Sequence, residues 1–186
     1  MSILQRRRAL GLLSVKGLAA GVIYADGVTL AGHSFGIVEG WSNVSAGAGV
    51  SFEDSEFTDG DGNVRKALIM TNVRGSGFSA ADLTGFTGAE LMRYSKICCE
   101  VSIDGVIITG GRRIALYSSL DGAGYTVGVA AEATMNHSGT RYDVPAELTI
   151  PRTLDPSAVY YLAFHQQTAS GGTGTAVMRI TNIRFE

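Results

Sequence analysis

Residues 96–103, KICCEVSI, alternate strictly between two kinds of side chain. One face of the extended chain carries the apolar residues Ile97, Cys99, Val101 and Ile103. The pair Asp104-Gly105 follows, and this pair favours a tight hairpin turn. The segment therefore predicts a half-buried β-strand that ends in a turn, a pattern that recurs along the chain.

The chain from residue 22 onward repeats this two-residue period between closely spaced turn residues. The predicted strands are 66–73, 96–103, 106–109, 112–120, 125–131, 146–150, 159–166 and 176–185. About eight short antiparallel strands predict an all-β fold, a two-sheet sandwich of jelly-roll type.

Two local irregularities interrupt the predicted strands. The pattern lapses between Val73 and Leu91, where the spacing of Thr87 and Glu90 predicts a capping box and one short helical turn. In the last predicted strand the apolar parity changes before Ile183, which predicts a β-bulge near 181–182.

The composition limits the domain count and the partner classes. With 186 residues the chain suits one domain, and 45% hydrophobic against 17% charged residues favours folding with a weakly charged surface. A net charge of −2 supplies no basic field for a phosphate backbone, so no nucleic-acid partner is predicted. Gly11, Lys16 and Gly17 break the N-terminal apolar run, so no membrane span is predicted.

The cysteines Cys98 and Cys99 are adjacent. Neighbouring residues of a strand face opposite sides, so we interpret them as two free thiols, one pointing inward and one outward. A vicinal disulfide remains the alternative.

The stretch GHSFG, residues 32–36, matches the Gly-x-Ser-x-Gly elbow of serine hydrolases, with Ser34 in the nucleophile position. The elbow needs a helix directly behind the serine, whereas the residues that follow, IVEGWSNVSAGAG, have no helical period. We therefore interpret Ser34 as a strand or turn residue, and we predict no enzymatic activity.

The stretch DGDGN resembles the start of a calcium loop, with Asp59, Asp61 and Asn63 as weak ligand candidates. Val64 and Met70 stand where an EF-hand requires glycine and glutamate, which excludes that motif. An acidic hairpin turn is the favoured interpretation and a calcium loop of another geometry is the alternative. No other cofactor is predicted.

Sugar binding requires exposed aromatic faces. The candidates for glycan contact are Trp41, Tyr125, Tyr142 and Tyr161. The alternative is that these rings pack inside the sandwich.

The first 21 residues are basic and interrupted by glycine, so we expect an extended or partly helical arm that docks on a partner, ahead of the sandwich at 22–186. The arginines Arg6, Arg7 and Arg8 would pair with acidic groups of that partner. The apolar contacts would come from Leu10, Leu12, Leu13, Val15 and Leu18. A twin-arginine export signal remains an alternative.

Two stretches resemble known families. The C-terminal VYYLAFHQQTASGGTG and AVMRITNIRFE resemble the closing strands of carbohydrate-binding-module-like jelly rolls, whose last strand pairs back near the first. The N-terminal QRRRALGLL is similar to the arginine-triplet leader of tailed-bacteriophage structural proteins. Together these resemblances imply a virion protein with a decoration, head-fibre or tail-associated role.

That resemblance also implies partners and a location. The partners would be other virion proteins, reached through residues 1–21, and further copies of the chain, with a trimer suggested by analogy. The location would be the virion, assembled in the host cytoplasm. The alternative function is a carbohydrate-binding module that contacts a cell-surface glycan, in a virion or as a secreted bacterial protein.

Overall fold

A computed structural model describes residues 20–38, 50–73, 77–105, 111–120, 128–135, 139–167 and 175–186. The strands are β1 (Val22–Ala25), β2 (Val28–Thr29), β3 (Phe35–Ile37), β4 (Val50–Thr58), β5 (Val64–Val73), β6 (Gly77–Asp82), β7 (Phe86–Thr87), β8 (Lys96–Asp104), β9 (Arg112–Tyr117), β10 (Val129–Thr134), β11 (Arg141–Thr149), β12 (Val159–Gln167) and β13 (Thr175–Phe185). One short helix, α1 (Gly88–Leu91), lies between β7 and β8.

The strands form two antiparallel sheets, which confirms the predicted sandwich. The first sheet has the order β11-β8-β13-β1-β2, and β5 and β4 extend it beside β13. The second has the order β10-β9-β12-β6-β3, with β7 paired to β12. The last strand pairs with the first described strand, as the C-terminal resemblance implied.

The core lies between the inner faces of the sheets. The alternating residues Ile97, Cys99, Val101 and Ile103 of β8 are all buried in it. From the second sheet Ile114, Leu116, Leu162 and Phe164 pack against them. The two-residue period of each strand thus supplies one half of the core.

A buried polar bridge joins the two sheets. Arg112 donates from Nε to Gln166 Oε1 at 3.0 Å and from Nη2 to the Asp104 carbonyl at 3.0 Å. Gln166 in turn donates to the side chain of Asn72 and to the Ala176 carbonyl. The second sheet is therefore anchored to β5, β8 and β13 by hydrogen bonds as well as by apolar packing.

The predicted local irregularities are present. Thr87 caps α1 in a complete capping box with Glu90. The register between β8 and β13 shifts after Thr181, and Asn182 has a φ of 52°, so the predicted bulge is confirmed. Cys98 and Cys99 are free thiols on opposite faces of β8, and Cys99 lies in the core.

Several strand predictions were incomplete. The strands that were not predicted are β1, β2, β3, β4, β6 and β7, and β6 occupies part of the stretch where the pattern lapses. All six residues of β6 are buried, so its two faces do not differ in polarity and no alternation marks it. The strand predicted at 125–131 is described only as β10, which starts at Val129, and 106–109 lie outside the described residues.

Candidate functional site

The outer face of the second sheet carries three rows of side chains that run across its strands. Strand register aligns Ala115 with Ala163, Ala163 with Ala81, and Ala81 with Gly36. These four residues form a central row without any long side chain. Row one lies on one side of the central row and consists of Tyr117, Tyr161, Leu83 and Ser34. Row three lies on the other side of the central row and consists of Arg113, His165 and Ser79.

Neighbouring side chains cover the central row. Ala81, Ala115 and Ala163 are almost completely buried, and Val38, Leu120 and Val129 pack against the same cluster. A Cβ added to Gly36 would come within 2.9 Å of the Leu83 Cδ1 atom, so Leu83 leans over the row. The middle of this face is therefore filled.

Exposed aliphatic side chains lie at the apolar end of this face. Leu83 is 46% exposed, Val159 is 38% exposed, and Tyr161 between them is half-buried. We call these three residues the Tyr161 surface. It combines an aromatic ring with two aliphatic side chains on one rigid strand and the turn beside it.

Gly85 allows the neighbouring turn to lie flat against this surface. Its φ is +74°, and an added Cβ would lie 2.6 Å from Val159 Cγ1 and 2.9 Å from Tyr161 Cδ1. Both the backbone conformation and the close approach require glycine. The glycine thus lets the turn pack directly against Val159 and Tyr161.

Polar groups border the Tyr161 surface. Ser34 is exposed, and its carbonyl accepts a hydrogen bond from Leu83 N at 2.8 Å. Thr84 Oγ1 donates to the Gly32 carbonyl at 2.9 Å, which ties the turn after β6 to the loop before β3. A ligand on the apolar residues would therefore meet a serine hydroxyl held by a hydrogen-bonded loop.

Ser34 itself is a loop residue, which confirms the interpretation against a hydrolase elbow. Strand β3, not a helix, follows it directly. The adjacent His33 points elsewhere, because its Nδ1 lies 2.6 Å from Asp82 Oδ2 and its ring stacks on Phe86 at a centroid distance of 4.4 Å. The His33–Asp82 pair fastens a loop to β6.

The opposite end of the same face is charged. Arg113 Nη1 lies 3.3 Å from Glu132 Oε2, and both side chains are partly exposed. His165 is buried beside them, and its Nδ1 lies 3.1 Å from the Phe78 carbonyl oxygen. Burial, aided by the charge of Arg113, lowers the pKa of His165 to about 3. This imidazole is neutral at ordinary pH.

Tyr142, another predicted glycan contact, lies on a different surface. It belongs to β11 of the first sheet, is 45% exposed, and its ring covers Gly60, whose added Cβ would lie 3.0 Å from Tyr142 Cδ2. The structure therefore does not bring Tyr142 and Tyr161 together. Trp41 and Tyr125 lie outside the described residues.

The calcium candidates form the tip of the β4–β5 hairpin. Asp59 Oδ1 accepts hydrogen bonds from the backbone N of Asp61 at 3.0 Å and of Asn63 at 2.8 Å. The Asn63 side-chain amide also donates to Asp59, so its nitrogen, not its oxygen, faces the carboxylate. These hydrogen bonds lower the pKa of Asp59 and are those of an acidic hairpin turn.

The described ranges of the chain are 20–38, 50–73, 77–105, 111–120, 128–135, 139–167 and 175–186. Within them, no group of three or more His, Cys, Asp or Glu side chains is placed to hold a metal ion. No helix in those ranges is long and apolar enough to cross a membrane. The arm residues 6–18 lie outside the described part of the chain.

The sequence offered Tyr161 as a candidate glycan contact, but it did not indicate Leu83 and Val159, the neighbours of Tyr161 on the surface. Val159 begins a predicted strand, but the alternation of apolar residues does not indicate that its side chain is exposed. Leu83 follows a strand that the pattern did not reveal. Only the register between β6 and β12 brings the three side chains together.

Comparisons with known proteins show the fold. No protein-family model matches the chain, and no curated protein matches it in sequence. The chain is similar to a solved carbohydrate-binding module of the β-sandwich superfamily, with a TM-score of 0.56 and 14% identity over 89% of this chain and 61% of that chain. It is also similar to a solved exo-β-agarase, with a TM-score of 0.52 and 10% identity over 90% of this chain and 25% of that chain.

This chain thus spans less than two thirds of the first structure and a quarter of the second. At these identities the likeness concerns the backbone architecture. The chain has the β-sandwich fold found in carbohydrate-binding modules.

Proposed function

We propose that this protein is a non-enzymatic glycan-binding module that contacts an oligosaccharide with its Tyr161 surface. The observation that carries the proposal is the group formed by the half-buried Tyr161 and the exposed Leu83 and Val159 on the outer face of a sandwich of this fold. Shared fold alone does not assign function, and it is this surface that supports glycan binding.

The chemistry of the surface suits a sugar ring. A pyranose presents a face of C–H groups and an edge of hydroxyls, and a tyrosine offers a flat apolar ring with a polar tip. Leu83 and Val159 extend the apolar area on both sides of the ring. The hydroxyls of Tyr161 and Ser34 can exchange hydrogen bonds with sugar hydroxyls.

The neighbouring ionisable groups support binding without catalysis. Asp82 is fully buried and accepts hydrogen bonds from Thr84 N and from His33, where it fastens a loop. Glycoside hydrolysis needs two carboxyl groups that flank the scissile bond. The Tyr161 surface is instead formed by uncharged side chains.

The test is binding to a panel of soluble glucose-, xylose-, mannose- and galactose-based β-linked oligosaccharides, measured by titration calorimetry. For whichever sugar binds, Tyr161→Ala should weaken the affinity by roughly 10-fold or more, while Tyr161→Phe should retain most of it. Tyr142→Ala is the control, since Tyr142 is a more exposed tyrosine that lies on the first sheet, and it should leave the affinity unchanged.

The opposite pattern would reject the proposal. If Tyr142→Ala abolishes binding and Tyr161→Ala does not, the glycan site lies on the first sheet. If no sugar of the panel binds the full chain, glycan binding itself loses its support.

The virion role remains a separate prediction. It depends on the resemblance of QRRRALGLL to phage leaders, and those residues lie outside the described part of the chain. A glycan-binding sandwich is compatible with a virion location and with a secreted one. Location, oligomeric state and virion partners therefore stay predictions.

A further inference from the structure

The loop 30–34 and the turn 83–85 meet at the border of the Tyr161 surface. The backbone N of Leu83 donates to the Ser34 carbonyl at 2.8 Å. Leu83 belongs to the Tyr161 surface, and Ser34 is exposed at its border. The way in which this loop and this turn are joined therefore sets where the two side chains stand relative to the ring of Tyr161.

The side chain of Asp82, the last residue of β6, holds the loop and the turn together. This side chain is fully buried. Its Oδ1 accepts a hydrogen bond from Thr84 N at 3.0 Å, and its Oδ2 lies 2.6 Å from His33 Nδ1. An ionised carboxylate can only accept hydrogen bonds, so Nδ1 of His33 is the donor. Loss of that donor would leave a buried carboxylate oxygen unsatisfied, which is costly.

The imidazole ring of His33 is also held by aromatic packing. It stacks on Phe86 with a centroid distance of 4.4 Å and an interplanar angle of 19°. Phe86 is buried and packs edge-on against Phe185 at 5.1 Å. Strand β7 places Phe86 opposite Tyr160 of β12, the residue next to Tyr161. His33 is thus packed against the neighbour of the strand that carries Tyr161, so its position is defined relative to that ring.

The His33–Asp82 pair lies away from solvent, whereas the residues that follow its two members face solvent. The side chain of His33 is only 14% exposed and that of Asp82 is fully buried. The next residues in the chain, Ser34 and Leu83, are both exposed. Consecutive residues at the end of a strand point to opposite sides, which explains this arrangement for Asp82 and Leu83. A change in the pair can therefore shift both surface residues without removing either of them.

We propose that the hydrogen bond between His33 and Asp82 is a positioning contact of the glycan site, which sets the affinity by fixing Leu83 and Ser34 beside Tyr161. This inference rests on the proposed function. Neither member of the pair contacts the sugar, and both act through the residues that follow them. Without the hydrogen bond the loop and the turn would have to be ordered when the sugar binds, and that ordering lowers the affinity.

The test compares two substitutions of His33 in the full chain, by titration calorimetry with whichever sugar of the panel binds. His33→Phe keeps a ring that can stack on Phe86 but removes the donor to Asp82. His33→Asn removes the ring but can place an amide N–H near the position of Nδ1. We expect His33→Phe to weaken the affinity by roughly 3- to 10-fold and His33→Asn to retain most of it. A role of ring packing alone predicts the opposite order.

A second histidine provides the control. His165 is also buried, and its Nδ1 contacts the Phe78 carbonyl oxygen of β6, at the opposite end of the same face. His165→Gln should leave the affinity unchanged. All variants are measured well below their unfolding temperatures, so that a loss of stability alone does not change the affinity.

Hydrogen exchange of the Leu83 amide reports on the join between loop and turn without any ligand. His33→Phe should make this amide exchange roughly 3- to 10-fold faster, whereas His33→Asn should leave its rate nearly unchanged. Binding that Tyr161→Ala abolishes but His33→Phe leaves intact would overturn the positioning role and keep the proposed function. If no sugar binds the starting chain, the proposed function fails and the positioning role fails with it.

Discussion

The guanidinium of Arg65 lies 2.7 Å from the carboxylate of Asp143, although their strands are not neighbours. β5 and β11 are separated by β13 and β8 in the first sheet. In a flat sheet these strands would lie roughly 14 Å apart. The tip of the β4–β5 hairpin therefore bends over the outer face in the part of β5 that precedes Leu68, the first residue of β5 that pairs with β13.

Arg65 holds this bent hairpin in place. It also donates to Glu100 at 3.0 Å and to Thr181 at 3.2 Å. Burial lowers the pKa of Arg65, but Glu100 and Asp143 together outweigh burial and raise it. Because the carboxylates are partly exposed, solvent weakens these contacts.

We expect Arg65→Gln to lower the free energy of unfolding by about 1 kcal/mol, measured by urea denaturation. Proteolysis should begin near 59–63, since the hairpin tip loses its hold on β11. Lys96→Gln removes an exposed ion pair with Glu147 and is the control. An equal effect of both variants would argue against a special role for Arg65.

Substitution of Arg112 should destabilise the fold far more than substitution of its neighbour Arg113. Burial lowers the pKa of Arg112 to about 10, and its guanidinium fork bridges Gln166 and the Asp104 carbonyl. A lysine cannot reproduce that fork. We expect Arg112→Lys to cost about 3 kcal/mol of unfolding free energy, and Arg113→Lys less than about 1 kcal/mol. Thermal denaturation of both variants checks this difference.

Gly105 and Gly62 provide a matched test of turn geometry. Both have positive φ, +85° and +81°, but an added Cβ meets the Thr175 carbonyl oxygen at 2.4 Å only at Gly105. Gly62→Ala should cost about 1 kcal/mol from backbone strain alone. Gly105→Ala should cost about 3 kcal/mol, because the backbone at Gly105 or at Thr175 must also move. Equal losses would mean that the close contact relaxes freely.

His165 should make the fold sensitive to acid. Its pKa is about 3 in the folded protein and 6.5 as the ordinary value, so the unfolded chain binds a proton between these pH values that the folded one does not. Stability is therefore fully present above pH 6.5 and falls by up to about 1.4 kcal/mol per pH unit as the pH is lowered. His165→Gln should flatten this part of the stability–pH curve, followed by denaturant midpoints. A slope unchanged by the substitution would assign the acid sensitivity to other groups.

Much of the architecture could be read from the sequence because alternation reports burial directly. KICCEVSI, the Thr87–Glu90 capping box and the bulge before Ile183 each depend on neighbouring residues. Their physical causes are local, namely the pleat of a strand, a backbone that needs positive φ, and a side chain that caps a helix. These local causes determined the all-β class and most of the strands.

The tertiary structure alone decided which side chains meet. β6 has two buried faces, so no alternation marked it, and without β6 the pairing that brings Leu83 to Tyr161 was not foreseeable. The separation of Tyr142 from Tyr161 and the reach of Arg65 to Asp143 depend on strand order and on the bend of a hairpin. Strand order is set by packing between residues far apart in the chain. The alternation within a single strand does not indicate which strands pair with it.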